Sequence, residues 1–389
     1  MITALRNQRF RPISQIKFLR LLLLFAACGL AIWANPASAC PFCTVVSPSL
    51  AQLRDSAEVV VLAEVADADA KPPRFKLHRI IKGEAELSDH ESLSAKPDNL
   101  VKPGALVILF GVRQEDAFQW TAVDVNEASA AYFIHAPSMR ELETDRLEYF
   151  VPFLEHADPT IAEDAYREFG RARLEAVKEV VDRVPSDRVR QWLTSPGVPE
   201  SRKGFYGLVL GLAREDRDRT ANADLLKSLI VADAGDFRSG FDGVLGGYLL
   251  LTGEQGLKLL EQRYFANPKA AVGDVRHAIT ALRFYHEYGR EIPAEALGAV
   301  LAKALTRPEF AEPAITDLAR WQRWEFRDQI ADLYDAATST SEIRRAVVGY
   351  LHACPDPAAE NRLAQIRAKD PVGVATAEEV LGKLGTLPQ

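Results

Sequence analysis

Cysteine is scarce in this chain, with four among 389 residues, at positions 28, 40, 43 and 354. That count excludes a disulfide-rich framework, so packing has to carry stability. The short signatures of common chemistries are missing as well: there is no His-Glu-x-x-His, no Gly-x-Ser-x-Gly and no glycine loop closed by Lys-Ser/Thr. The seven histidines, at 78, 90, 135, 156, 277, 286 and 352, show no ligand spacing; His277 and His286, nine apart, fall on opposite sides of a helix. No cofactor and no metal are therefore expected, and the protein is expected not to be an enzyme.

Positive charge is concentrated where it does not last. Arg6, Arg9, Arg11, Lys17 and Arg20 precede an apolar run over residues 21–33, and Ala37-Ser38-Ala39 follows, with no acidic residue before Cys40. Basic start, apolar middle and small-residue end are the grammar of a secretory signal, so residues 1–39 are expected to be removed and the chain exported, to a periplasm, a cell surface or the medium. A membrane anchor is the rival reading, but thirteen helical residues reach only ~20 Å against a ~30 Å hydrocarbon core, and no span is expected after cleavage. Cys28 and Cys40 could take a lipid, yet neither has the Leu three residues upstream that lipoprotein signals carry. Processing leaves 42 of the 47 basic residues against 54 acidic ones, a formal balance of −12 that makes nucleic acid and anionic membranes poor partners.

The next hundred residues read in period two. Val59, Val61, Ala63 and Val65 line one face of a strand over 58–65; Phe75, Leu77, Arg79 and Ile81 alternate until Lys82-Gly83; residues 91–95 offer a third strand. Pro103-Gly104 turns into 105–112, apolar at nearly every position as in a strand buried on both faces or closing a barrel. Phe118, Trp120 and Ala122 give a fifth strand, and 132–135 is taken as a sixth. So many short strands predict a small barrel or sandwich over residues 40–138.

Cysteine at the expected mature N-terminus, Ala57-Glu58-Val59-Val60-Val61, the run from Phe75 to Gly83, and Pro103-Gly104 leading into Leu109-Phe110-Gly111 resemble the netrin-like, tissue-inhibitor-of-metalloproteinase type of OB barrel. The resemblance covers about a quarter of the chain and implies the fold. In that family the terminal cysteines form a Cys-x-Cys pair bridged to later ones, and the first amino group can reach a protease zinc. Here the spacing is Cys-x-x-Cys and residues 44–353 hold no cysteine, so metalloprotease inhibition stands only as an alternative.

From about Leu142 the period becomes 3.6 and stays so. Asp158-Pro159 supplies an N-cap and first-turn proline before the stripe Ile161, Ala162, Ala165, Tyr166, Phe169; the pattern recurs after Pro293, Ser341 and Asp356-Pro357. About fifteen helices pairing into units of roughly 35 to 45 residues fit the HEAT and armadillo range, each unit covering the stripe its neighbour cannot bury. The fold class is therefore α+β multidomain, a small N-terminal OB-like β-barrel followed by an all-α HEAT-like solenoid over 142–389, with a closed helical bundle as the alternative because the intervening repeats are degenerate. The polar residues 139–146 mark the join, and with no long Gly/Ser- or Pro-rich linker the two parts should pack together.

Several residues invite function. Cys40-Pro41-Phe42-Cys43 has the letters of a redox motif, but the strand that should precede one is missing, so a disulfide pinning the new N-terminus is the expectation and thiol-disulfide exchange the alternative. Cys354 is expected to be a buried free thiol. Gly243, Gly246 and Gly247 read as a face for close helix approach rather than a phosphate cradle. Arg320, Trp321, Arg323 and Trp324 form the aromatic and arginine cluster of the helical half and are the interface candidates, Trp321 sharing a face with Ala314 and Leu318 and so leaning to the core. The expectation is an exported, non-catalytic binding or scaffold protein whose helical surface takes an unknown protein or peptide.

Overall fold

The computed structural model describes residues 42, 47–87, 90–115, 117–213, 216–232, 238–383 and 385, all within one compact unit, Ala39–Gln389. The export signal and the pair Cys40 and Cys43 lie outside the described residues. None of the described helices is long and apolar enough to cross a membrane.

A short helix α1 (Leu50–Ser56) leads into β1 (Val59–Asp67), β2 (Arg74–Lys82), a single turn α2 (Glu84–Leu87), β3 (Ser92–Ser94), β4 (Leu106–Gln114) and β5 (Ala117–Asp124). The sheet is antiparallel in the order β3-β2-β1-β4-β5, and it curls because three register shifts bend β1 against β2. Beyond β3 the chain crosses to the far edge. Pro97 bridges Trp120 in parallel, Asp98 N donates to Trp120 O at 3.0 Å, and the Asn99 side chain accepts from Ala122 N at 3.2 Å and donates to Ala122 O at 3.0 Å. This joins the two edges in the way an OB-like barrel closes.

The alternation in β1 divides two cores. Val59, Val61, Ala63 and Val65 point into the barrel with Phe75, Val107, Leu109, Trp120 and Ala122. Val60, with Ile108 and Phe110 of β4, points the other way into the core of the helical half. The apolar run in β4 thus faces a core on both sides, and barrel and helices pack together, as the lack of a long Gly/Ser- or Pro-rich linker implies.

The sixth strand is corrected: residues 132–135 belong to a helix, α3 (Glu127–His135). Asn126 decides it, accepting from Ser129 N while Ser129 Oγ accepts from Asn126 N, a reciprocal capping box that nucleates an alanine-rich turn. The expected disulfide is corrected too. Among the described residues the structure finds no disulfide, and the cysteine found there, Cys354, is a buried free thiol with no second sulfur to bridge.

The helical half continues as α4 (Glu143–Phe150), α5 (Pro159–Arg171), α6 (Leu174–Val180), α7 (Ser186–Thr194), α8 (Glu200–Leu212), α9 (Asp216–Val231), α10 (Phe241–Thr252), α11 (Glu254–Leu260), α12 (Val272–Tyr288), α13 (Ala294–Ala302), α14 (Pro308–Arg320), α15 (Arg327–Asp332), α16 (Ser341–Ala353), α17 (Pro357–Lys369) and α18 (Pro371–Lys383). Asp158 caps α5 by accepting from Thr160 N and Ile161 N, and the expected stripe is buried. Helices α8, α10, α12, α14, α16 and α18 stack in one layer, and α7, α9, α11, α13, α15 and α17 pair with them in a second. Successive first-layer helices begin 30 to 41 residues apart, at positions 200, 241, 272, 308, 341 and 371. The result is a HEAT-like α-solenoid.

Candidate functional site

The first layer is tightest where α8 crosses α10. Glycines 204, 207 and 211 of α8 meet 243 and 247 of α10, and a Cβ on Gly207 would stand 2.7 Å from the Val244 backbone. Cβ atoms on Gly243 and Gly247 would run into the carbonyls of Gly204 and Gly207. The two backbones touch because side chains are missing, as expected for a helix-approach face.

Gly246 serves another purpose. A Cβ there would lie 2.8 Å from the ring of Phe42 and 3.2 Å from Phe284, whereas Gly204 leaves room for the Phe42 carbonyl at 3.1 Å. Phe42 is 4% exposed. Its ring lies 4.7 Å from Phe284 of α12 at 57°, and Phe284 lies 5.3 Å from Tyr288. Lys178 of α6 stands 5.5 Å from the Tyr288 ring, a cation over an aromatic face, and burial holds its ammonium pKa below the usual lysine value.

Downstream of Phe42, the described chain resumes against α5. Arg171 Nη2 donates to Ser47 O at 2.7 Å and Arg167 Nη1 to Pro48 O at 3.4 Å. Ser49 and Gln52 then close a capping box on α1. Phe42 is thus held by an aromatic contact, and the Ser47 and Pro48 carbonyls by side-chain donors of α5.

Below α1 lies a buried polar cluster. Asp164 of α5, 2% exposed, accepts from Leu50 N at 2.6 Å and from the Tyr132 hydroxyl at 2.8 Å. Burial pushes its pKa up to about 6, against the pull of those two donors; Glu168 adds to the rise and Arg167 opposes it. Burial, then Asp164, raises the Tyr132 pKa. Arg146 and Glu168 form an ion pair sealed from water. Beside them Arg202, packed over the Tyr166 ring, binds Glu155 at 3.0 Å and Glu163, and the Tyr206 hydroxyl donates to Glu155 at 2.6 Å. These groups tie α1, α3, α4, α5 and α8 together.

The interface candidates are placed as follows. Trp321 is buried and stacked on His286 at 4.4 Å. Arg323 covers Gly298 and pairs with Glu295, and its carbonyl accepts from the Tyr350 hydroxyl. Trp324, half-buried, meets Tyr350 edge-on at 5.2 Å. Arg320 is exposed, 3.8 Å from Asp317. The cluster mostly joins neighbouring repeats, with Arg320 left facing solvent. Histidines 78, 277 and 352 each face a carboxylate, Glu64, Asp242 and Glu378 respectively. Sequence reasoning passed over Phe42, whose only signal was an aromatic between two more conspicuous cysteines, and over Asp164, whose only signal was a carboxylate inside a predicted apolar stripe.

No protein-family model matches the chain, and no curated protein matches it. The solved structure of human deoxyhypusine hydroxylase in complex with glycerol aligns with 65% of this chain and 94% of that one, at 14% identity. Its TM-score of 0.27 is too low to carry any inference.

Proposed function

We propose that this chain is an exported, non-catalytic binding or scaffold protein whose helical array receives a protein or peptide partner. One observation carries the reading. The helical half already holds parts of the chain's own N-terminal segment, Phe42 by an aromatic contact and the Ser47 and Pro48 carbonyls by arginine donors, the kinds of contact by which grooves hold peptides. Stacked helix pairs also offer a long continuous surface for such contacts. Export rests on the grammar of residues 1–39. For the barrel, strand order and parallel closure support the netrin-like kinship as a fold. Its inhibitory chemistry is not carried over, given Cys-x-x-Cys and the cysteine-free stretch 44–353. Among the described residues no specific observation favours thiol exchange or protease inhibition.

The test is site-directed photo-crosslinking in the exported fraction. A photoreactive residue replaces Arg320 or Glu287 on the first layer, or, as control, Leu100 on the barrel, which is 98% exposed. Partner cross-links from the array positions and not from Leu100 are expected. Cross-links from the barrel alone, or none, overturn the proposal.

A further inference from the structure

We propose that residues 47–56, the strap that carries α1 from α5 to the start of β1, form a clasp that is closed in acid and opens locally when the buried carboxyl of Asp164 loses its proton. The clasp needs no partner and stands apart from the scaffold reading above. One face of α5 grips the strap: Asp164 accepts from Leu50 N at 2.6 Å, Arg167 donates to Pro48 O at 3.4 Å, and Arg171 donates to Ser47 O at 2.7 Å. At the far end Arg54 donates to the Ala136 and Pro137 carbonyls at 2.8 and 2.6 Å, and Lys82 of β2 donates to the Arg54 and Asp55 carbonyls at 3.0 Å each. The strap thus ties α3, α5 and the barrel at one junction.

The charges around Asp164 do not balance. Asp164, Glu168 and Arg146 are 2%, 4% and 7% exposed, so two buried acids meet one buried base, and Arg146 is paired with Glu168. Glu168 also follows Asp164 by four residues on the same face of α5, where like charges repel. Of the other groups facing the site, Tyr132 of α3 and Tyr149 of α4 are phenols kept neutral by burial, Arg167 is paired with Glu163 at 3.2 Å, and Arg54 is turned to the carbonyls beyond α3. The Asp164 carboxylate is left with two neutral donors, Leu50 N and the Tyr132 hydroxyl. Burial accordingly pushes its pKa up to about 6, and lifting the strap, which lets water reach the carboxyl, returns it toward 3.8. Well below 3.8 both forms hold the proton; between 3.8 and 6 only the closed form keeps it, so opening becomes easier as pH rises, and above 6 the gain is complete. From pH 5 to pH 7 the open population should grow about tenfold.

Hydrogen–deuterium exchange of the full chain tests this, read by mass spectrometry on peptides within 47–56 and 272–288, with each rate divided by the intrinsic rate at that pH. Strap amides should be less protected than α12 amides by roughly tenfold or more at every pH, and dilute urea should speed α12 far more than the strap, because a local opening exposes little surface. The strap's opening should grow about tenfold from pH 5 to pH 7 in the wild type and stay constant in Asp164→Asn. Tyr132→Phe, which removes a donor from the carboxylate, should move the strap's pH window upward, and it serves where Asp164→Asn does not fold. A strap that opens only together with α12, one whose opening is flat between pH 5 and pH 7, one that keeps its pH dependence in Asp164→Asn, or a window left in place by Tyr132→Phe overturns the clasp.

Discussion

Replacing Asp164 by Asn should change how the stability of this protein depends on pH, by an amount the structure sets. Asp164 is buried against Leu50 N and the Tyr132 hydroxyl, and its pKa rises from 3.8 to about 6 on folding. Well below 3.8 the carboxyl is protonated in both folded and unfolded chains and contributes nothing to the difference. Between pH 4 and 6 the folded chain keeps a proton that the unfolded chain has lost, so stability falls as pH rises. Above pH 6 the whole penalty is present, two pKa units or about 3 kcal/mol. Asparagine cannot titrate, but its carbonyl can still accept from Leu50 N. The stability of Asp164→Asn minus that of wild type should therefore climb by about 2–2.5 kcal/mol from pH 4 to pH 7, whatever constant offset the lost carboxylate brings. Urea titrations of both proteins at pH 4, 5, 6 and 7 measure it, since Glu168, Arg167 and every other titrating group are common to the pair. A difference flat with pH, or one that falls, would refute the reasoning.

Two further substitutions test the packing. Gly247→Ala puts a methyl against the Gly207 carbonyl, and because backbone cannot rotate aside, overpacking of about 1–3 kcal/mol should outweigh the better helix propensity; Gly382→Ala in α18, with nothing within 4 Å, should cost nothing, and thermal unfolding compares the two. Arg146→Ala strands the Glu168 carboxylate in a site where both side chains are under a tenth exposed, so a loss of about 3–5 kcal/mol is expected; urea unfolding should show much of it restored by Arg146→Met with Glu168→Leu.

The elements most legible in the sequence are those whose signal is local. Val59, Val61, Ala63 and Val65 alternate because one face of β1 fills the barrel, and Asp158-Pro159 marks the start of α5 because the cap and the missing N–H act within one turn. The stretch 132–135 misled because Tyr, Phe and Ile favour strands as singles, while the deciding Asn126–Ser129 capping box lies just upstream. For Gly246 the close-approach reading named the right residue type and not its guest: Gly243 and Gly247 meet α8, whereas Gly246 meets a ring two hundred residues earlier in the chain. Trp324 and Arg323 carried an interface composition that neighbouring repeats use on each other, through Tyr350, Gly298 and Glu295. Periodicity tells which face of a helix is apolar; it does not tell which element covers that face.

The central claim is that an aromatic side chain from the N-terminal segment is seated in the helical array, and a double-mutant cycle between Phe42 and Phe284 tests it most directly. The rings lie 4.7 Å apart and both are at least 96% buried, so Phe42→Ala, Phe284→Ala and the double variant should yield a coupling energy of about 1 kcal/mol. Strictly additive losses, within about 0.3 kcal/mol, would contradict the seat and with it the peptide-holding role built on it.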